Sequence, residues 1–222
     1  MISAHPLFAP RLLSTRALAP GVRLLRFASW PGFAFTPGQF VVLLFSDEPK
    51  IRRAYSLCSA PAEAGAYFEI AVASAGDFSE RLIALRPGAE GHLVARGPFG
   101  KWTWDGSGHA VLASSGTGIA PFRAMALLDQ GKVTLCYSAT AQSELLFHDE
   151  YETWRKSGVD VNARVGAWRP GEILAAADDA TAAYYLCGSN KMVQEFREGL
   201  QAAGVAAENI RSEAWGDYAG LI

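Results

Sequence analysis

The strongest constraint on this chain is a change of pattern near residue 108. Upstream, the apolar runs are short, at residues 12–13, 24–27, 40–45, 55–57, 67–72 and 92–95. Turn-forming residues stand between most of them: Pro20 and Gly21, Pro31 and Gly32, Pro37 and Gly38, Pro61, Pro87 and Gly88. Many short strands punctuated in this way predict an antiparallel β-barrel or sandwich. One helix is expected there, over 79–85. Downstream, strand-like runs at 109–114, 133–137, 161–165, 183–187 and 210–215 alternate with helical segments at 121–128, 143–156, 171–177 and 191–203. That alternation predicts an open parallel sheet with helices on both faces. The chain therefore divides into a β domain over 1–105 and an α/β domain over 109–222. With 222 residues, half of them apolar, it can fill both cores.

Composition excludes several classes. A net charge of -2 and a pI near 6.1 give the molecule no basic character to attract nucleic acid. Cys58, Cys136 and Cys187 are far apart and odd in number, which argues against a disulfide framework and for a reducing, cytoplasmic setting. A four-cysteine metal or iron–sulfur site cannot be built from them. The four histidines are scattered, and no metal site is expected. Residues 1–28 carry arginines and no acidic residue, the composition of a transit peptide, yet Pro20 and Gly21 between two apolar runs favour a hairpin. No run of 18 apolar residues exists, so no transmembrane helix is expected.

Four segments could carry chemistry. The run 113–122 follows a strand and opens a helix, with Gly116, Thr117, Gly118 and Pro121 in it. Its glycines allow close approach of a ligand, Pro121 suits a first helical turn, and free amides there can hold phosphate. Alone, it reads as a tight strand–helix turn, since its spacing is neither the dinucleotide fingerprint nor a Walker loop. In 52–59, Arg53 and Ser56 can meet an anion and Tyr55 offers a flat π surface, with Ala54 between them; an edge strand with polar residues is the plain alternative. Gly76, Phe78 and Ser79 open the early helix, where Asp77 or Ser79 can cap. In 184–192, Cys187 and Gly188 end the last central strand, where open α/β sheets bind ligands, and Lys191 and Met192 start a helix.

Taken together, these segments resemble the ferredoxin–NADP reductase superfamily of flavoproteins across nearly the whole chain. The flavin motif is met by Arg53, Tyr55 and Ser56, the phosphate turn by Gly76 to Ser79, and the barrel-closing turn by Gly97, Pro98 and Gly100. The nucleotide loop is met by Gly116 to Pro121, and the strand end by Cys187, Gly188 and Met192. Each motif is weak alone; five in order are specific. The resemblance implies a flavin-binding antiparallel β-barrel followed by an α/β nucleotide-binding domain. It implies FAD as cofactor and NADPH or NADH as substrate. Electrons would pass to or from a ferredoxin- or flavodoxin-like carrier protein, with a monomer favoured.

In the same way, Arg53 is implied at the flavin phosphate, Tyr55 on the flavin ring, and Ser56 near its reactive nitrogen. Cys187 is implied beside the nicotinamide. Glu213, near the end of the final strand, is read from its position as a candidate proton relay. Trp215 or Tyr218 is the candidate to cover the ring. Where many relatives place an arginine for a 2′-phosphate this chain has Thr140, with Arg164 or Lys191 as substitutes, so the choice of NADP or NAD stays open. The alternatives are a diaphorase or oxygenase reductase component with a small acceptor, and a non-catalytic flavin-binding electron-transfer subunit.

Overall fold

The computed structural model describes residues 7–88, 92–128, 131–177, 179 and 181–214. The N-terminal arginine-rich stretch is a hairpin: β1 (Leu12–Ala19) pairs antiparallel with β2 (Val22–Ala28) across Pro20 and Gly21, the glycine at φ 70°. β2 pairs in turn with β5 (Tyr67–Ala73). A second antiparallel sheet orders β4 (Arg52–Ser56), β3 (Phe40–Phe45) and β6 (Leu93–Phe99). Bridges Leu57–Ile70 and Phe8–Ala95 join the two sheets at both edges, closing them into a barrel. Leu25, Phe27, Val41, Leu43, Phe45, Phe68 and Ile70 fill it. Alternation along β2 turns Leu24 and Arg26 away from that core: Leu24 joins the core shared with the second domain, and Arg26 donates to Glu69 on β5.

The second domain is one five-stranded parallel sheet in the order β11 (Ile210–Ala214), β10 (Ala183–Gly188), β7 (His109–Ser115), β8 (Lys132–Ala139), β9 (Asp160–Val165). No strand pairing runs from the barrel into it among the described residues. The order reverses between β7 and β10, the place where such sheets bind ligands beyond their carboxyl ends. α4 (Pro170–Ala176) and α5 (Asn190–Ala202) cover one face, where Ile173, Val193, Phe196 and Leu200 pack on Val111, Ala113 and Leu186. α2 (Ala120–Ala126) and α3 (Tyr151–Lys156) cover the other. All seven residues of α2 are buried, because the barrel closes over its outer side: Ala124 belongs to the barrel core, while Phe122 and Met125 belong to a core shared with Leu18, Leu24 and Ala71.

Two sequence expectations are corrected. The helix expected over 143–156 is broken: only α3 is α-helical, preceded by single turns at Gln142–Glu144 and His148–Glu150. Leu145, Leu146 and Phe147 are consecutive and all buried, which a helix rotating 100° per residue cannot provide on one packed side. The chain reverses instead at Phe147, in left-handed conformation with φ 58°. The early helix, α1 (Asp77–Ile83), is capped by neither Asp77 nor Ser79. Gly76 is the N-cap, with no side-chain cap bond; the Ser79 hydroxyl accepts from the Ala75 amide and donates to the Gly76 carbonyl, each at 2.8 Å. Other element ends shift by a few residues. α5 starts at the Ser189 cap, whose hydroxyl accepts from the Met192 amide at 3.3 Å.

Burial pushes the phenols of Tyr55 and Tyr137 up to about 12 from 10. The unfolded chain then ionises first, so stability is full below pH 10 and falls as pH rises from 10 to 12. Ultraviolet titration of tyrosinate should show these phenols ionising well above the guanidinium-unfolded protein, alongside declining urea midpoints over that range.

Candidate active site

A cavity of about 1140 Å³ lies between the two domains. The barrel contributes Arg53, Ala54, Tyr55, Ser56, Gly76, Phe78 and Ser79; the α/β domain contributes Gly116, Thr117, Ala120, Glu144 and Leu146. Sites for ordinary small ligands run to about 1,000 Å³, so this one has room for a ligand of dinucleotide size.

On the barrel side β4 supplies a flat aromatic and a cation. Tyr55 stacks along Phe78, with ring centroids 6.5 Å apart and 21° between planes, and Phe78 is seated on Phe45 at 5.0 Å. The exposed Arg53 guanidinium lies 5.9 Å from the Phe78 ring and donates to the Arg52 carbonyl at 2.9 Å. Gly76 has φ 117°, and a Cβ there would meet nothing, so the turn into α1 opens on the cavity without a side chain. First-turn amides of a helix have no partner within the helix. An arginine, bare amides and an aromatic face on one wall suit the phosphates and ring of a flavin dinucleotide.

On the other side, β7 ends in a tight turn (Gly116–Ile119) that leads directly into α2, with Pro121 in its first turn. Gly116 has φ 54°, and its carbonyl accepts from the Tyr137 hydroxyl at 3.1 Å. Gly118 lies against the backbone of Cys187, whose carbonyl oxygen a Cβ would overlap. Cys187 therefore stands behind this turn and does not line the cavity. It is buried, and burial, then Glu213, pushes its thiol far up, so no thiolate forms near neutral pH. Parallel pairing sets Glu213, Cys187, Ser114 and Tyr137 side by side in one row across the sheet. Gly188 lies against Met192, whose sulfur accepts from the Ser115 hydroxyl at 3.3 Å. Lys191 is exposed at the start of α5. Trp215 and Tyr218 lie outside the described residues.

At the end of β8 the Thr140 hydroxyl donates to Glu144. Next to it, β9 holds Arg164 in register with Ser138. The Arg164 guanidinium donates twice to Glu172, at 2.6 and 2.9 Å, and lies 3.9 Å over the Trp168 ring. Glu172 also accepts from the Arg169 amide at 2.8 Å; Arg164 and the Arg169 backbone bond hold its carboxyl near 2. Sequence reasoning missed Arg169, although a second arginine shortly after a strand that carries one was a readable signal. It also missed Arg123, which α2 carries into the domain interface; nothing in the linear sequence distinguishes that arginine from an exposed one.

Ferredoxin–NADP reductase B of Sorangium cellulosum is 31% identical to this chain over 247 residues, covering 97% of the chain and 100% of the relative. The chain belongs to the ferredoxin–NADP reductase superfamily. Like the other two-domain oxidoreductases of this superfamily, it is a flavin-dependent NAD(P)H reductase, transferring hydride between a nicotinamide nucleotide and FAD. An electron transfer subunit of dihydroorotate dehydrogenase B from Thermococcus kodakarensis is 28% identical, covering 80% of the chain and 72% of that relative. Among solved structures, an Amycolatopsis cytochrome P450 reductase superposes with a TM-score of 0.79 at 20% identity, covering 96% of this chain and 71% of its own. The ferredoxin–NADP+ reductase of Plasmodium falciparum gives 0.79 at 15%, covering 96% and 99%. At these identities the two structures show the superfamily fold. No family model matches the chain.

Gly118→Ala places a Cβ against the Cys187 carbonyl, and buried α2 leaves the turn little room to yield. Overpacking of this kind should lower stability by about 1–3 kcal/mol, read as the urea unfolding midpoint.

Proposed function

We propose that this reductase uses NADPH in preference to NADH and exchanges the electrons with a ferredoxin- or flavodoxin-like carrier. The observation that carries the nucleotide preference is the pair of arginines, Arg164 and Arg169, gathered about Glu172 beyond the end of β9. In dinucleotide-binding sheets an arginine near the end of the second strand accommodates a 2′-phosphate. β8 is the second strand here, and Arg164 is registered beside its end. The Sorangium relative is a ferredoxin–NADP reductase, which agrees with both the nucleotide and the carrier. Buried free cysteines fit the cytoplasm, and no helix among the described residues is long and apolar enough to cross a membrane.

The residue roles form one scheme. The flavin domain takes residues 1–105 and the nucleotide domain 109–222. Arg53 holds a flavin phosphate together with the amides after Gly76; Ala54 and Phe78 shape the wall. Tyr55 presents its ring to the flavin, and Ser56 offers its hydroxyl to the reactive edge. Gly116, Thr117 and Gly118 admit the nucleotide pyrophosphate close to the backbone ahead of Pro121. Arg164 and Lys191 reach its adenosine end, with Thr140 at the same edge. Gly188 and Met192 shape the nicotinamide end, and Trp215 is the candidate cover for the flavin ring. When bound, FAD would supply the two-electron and one-electron redox chemistry, and the residues named here would orient both rings and exclude water. Cys187 acts by shape, not as a nucleophile, and neighbouring Glu213 relays a proton.

Steady-state kinetics test the preference. Arg164→Ala should lower kcat/KM for NADPH by about tenfold and leave NADH within about threefold, since a charge-assisted bond is lost only to the nucleotide carrying the phosphate. Equal losses with both nucleotides refute it. Arg53→Ala should shed FAD on gel filtration, and Cys187→Ala should keep FAD while slowing flavin reduction in rapid mixing. An unchanged reduction rate at saturating nucleotide removes Cys187 from the scheme.

A further inference from the structure

We propose that Arg123 is a positioning residue for hydride transfer, setting the nucleotide turn against the flavin strand. It occupies α2, the helix that continues directly from Gly116–Ile119. One terminal nitrogen of its guanidinium donates to the Cys58 carbonyl at 2.6 Å and to Glu69 on β5 at 2.9 Å. Cys58 is two residues beyond Ser56, so this bond ties α2 to the strand that lines the flavin wall. Nε and the other terminal nitrogen donate to Glu150 at 2.7 and 3.1 Å. A planar fork with fixed donor directions thus holds two barrel partners and one α/β partner at once.

The surroundings leave the fork little freedom. Glu69 is 2% exposed and also accepts from Arg26 on β2 at 2.8 Å. Glu150 also accepts from Arg16 on β1, at 2.7 Å. Phe147 lies 5.0 Å from the Arg123 guanidinium and holds the left-handed backbone that brings Glu150 into place. The same segment puts Glu144 and Leu146 on the cavity wall. Arg123 itself does not line the cavity, so it acts only through the elements it joins. Those elements sit on different domains, and rates of transfer between two bound rings are sensitive to displacements of about an ångström.

The inference rests on the flavin lying along Tyr55 and Ser56 and the nucleotide at Gly116–Gly118. Failure of that reading shows as variants of those residues that bind both normally; failure of this one shows in Arg123 variants alone. The test uses purified FAD-loaded Arg123→Lys, which keeps the charge and loses the fork, and Glu150→Gln, which alters one arm from the partly exposed side. Four quantities are read: flavin content, KM for the nucleotide, the flavin reduction rate at saturation, and the long-wavelength charge-transfer absorbance that reports ring overlap. Expected for Arg123→Lys are full flavin content, KM within about threefold, a reduction rate down about ten- to a hundredfold, and a weakened charge-transfer band. A wild-type rate and band in Arg123→Lys overturn the proposal. If Arg123→Lys does not retain FAD, Glu150→Gln decides: a slowed step with a weaker band supports positioning, and wild-type values of both overturn it.

Discussion

A guanidinium inside a fully buried helix has to be neutralised where it stands, and the architecture follows from how Arg123 achieves this. Its carboxylate partners come from opposite domains, Glu69 from the barrel and Glu150 from the α/β unit. Each is shared with a further barrel arginine, Arg26 or Arg16. Leaving such a group without its partner costs about 3–5 kcal/mol, against roughly 5–15 kcal/mol for the stability of a whole domain. Separation of the domains would expose Glu69 and Arg123 to water, but it would also strip the apolar cover from α2. The ionic and apolar contributions point the same way: α2 is a shared wall rather than a surface element of either domain.

That wall positions the cavity. One end of α2 begins at the glycine turn where the parallel sheet reverses its strand order; its middle touches the barrel core through Ala124. The barrel brings an aromatic and a cation on a rigid strand, and the sheet brings a backbone turn free of side chains. Neither set encloses a ligand alone. The close approach of Gly118 to Cys187 fixes how far that turn can sit from β10, so the buried thiol influences the site by its place in the packing and not by its reactivity.

The two-domain organisation was legible because barrel strands and parallel-sheet strands leave different periodicities, and the switch near residue 108 is abrupt. The turn at Gly116–Pro121 was legible because it depends on local backbone needs, glycine at positive φ and proline in a first helical turn. The segment 143–156 was misread because three consecutive buried residues look helical in composition, while Phe147 packs on Trp154 and the Leu146 amide donates to the Tyr137 hydroxyl, partners a linear pattern does not show. The cap on α1 was misread for a similar reason: Ser79 has the chemistry of a cap, but its hydroxyl is satisfied within the preceding turn.

By itself, the sequence determined which stretches form the short strands of a barrel, which alternate into a parallel sheet, and where the glycine- and proline-bearing turns fall. These depend on periodicity and on conformations only glycine and proline favour, properties carried by neighbouring residues. The tertiary structure alone decided that Arg123 joins the domains, that Arg169 stands with Arg164 around Glu172, and that Cys187 lies behind the glycine turn. Those facts depend on partners dozens of residues away: Cys58 and Arg123 are 65 positions apart, and Arg16 and Glu150 are 134. An arginine carries no local sign of whether it will meet water or a buried carboxylate. Only the closing of one domain over the other makes that choice.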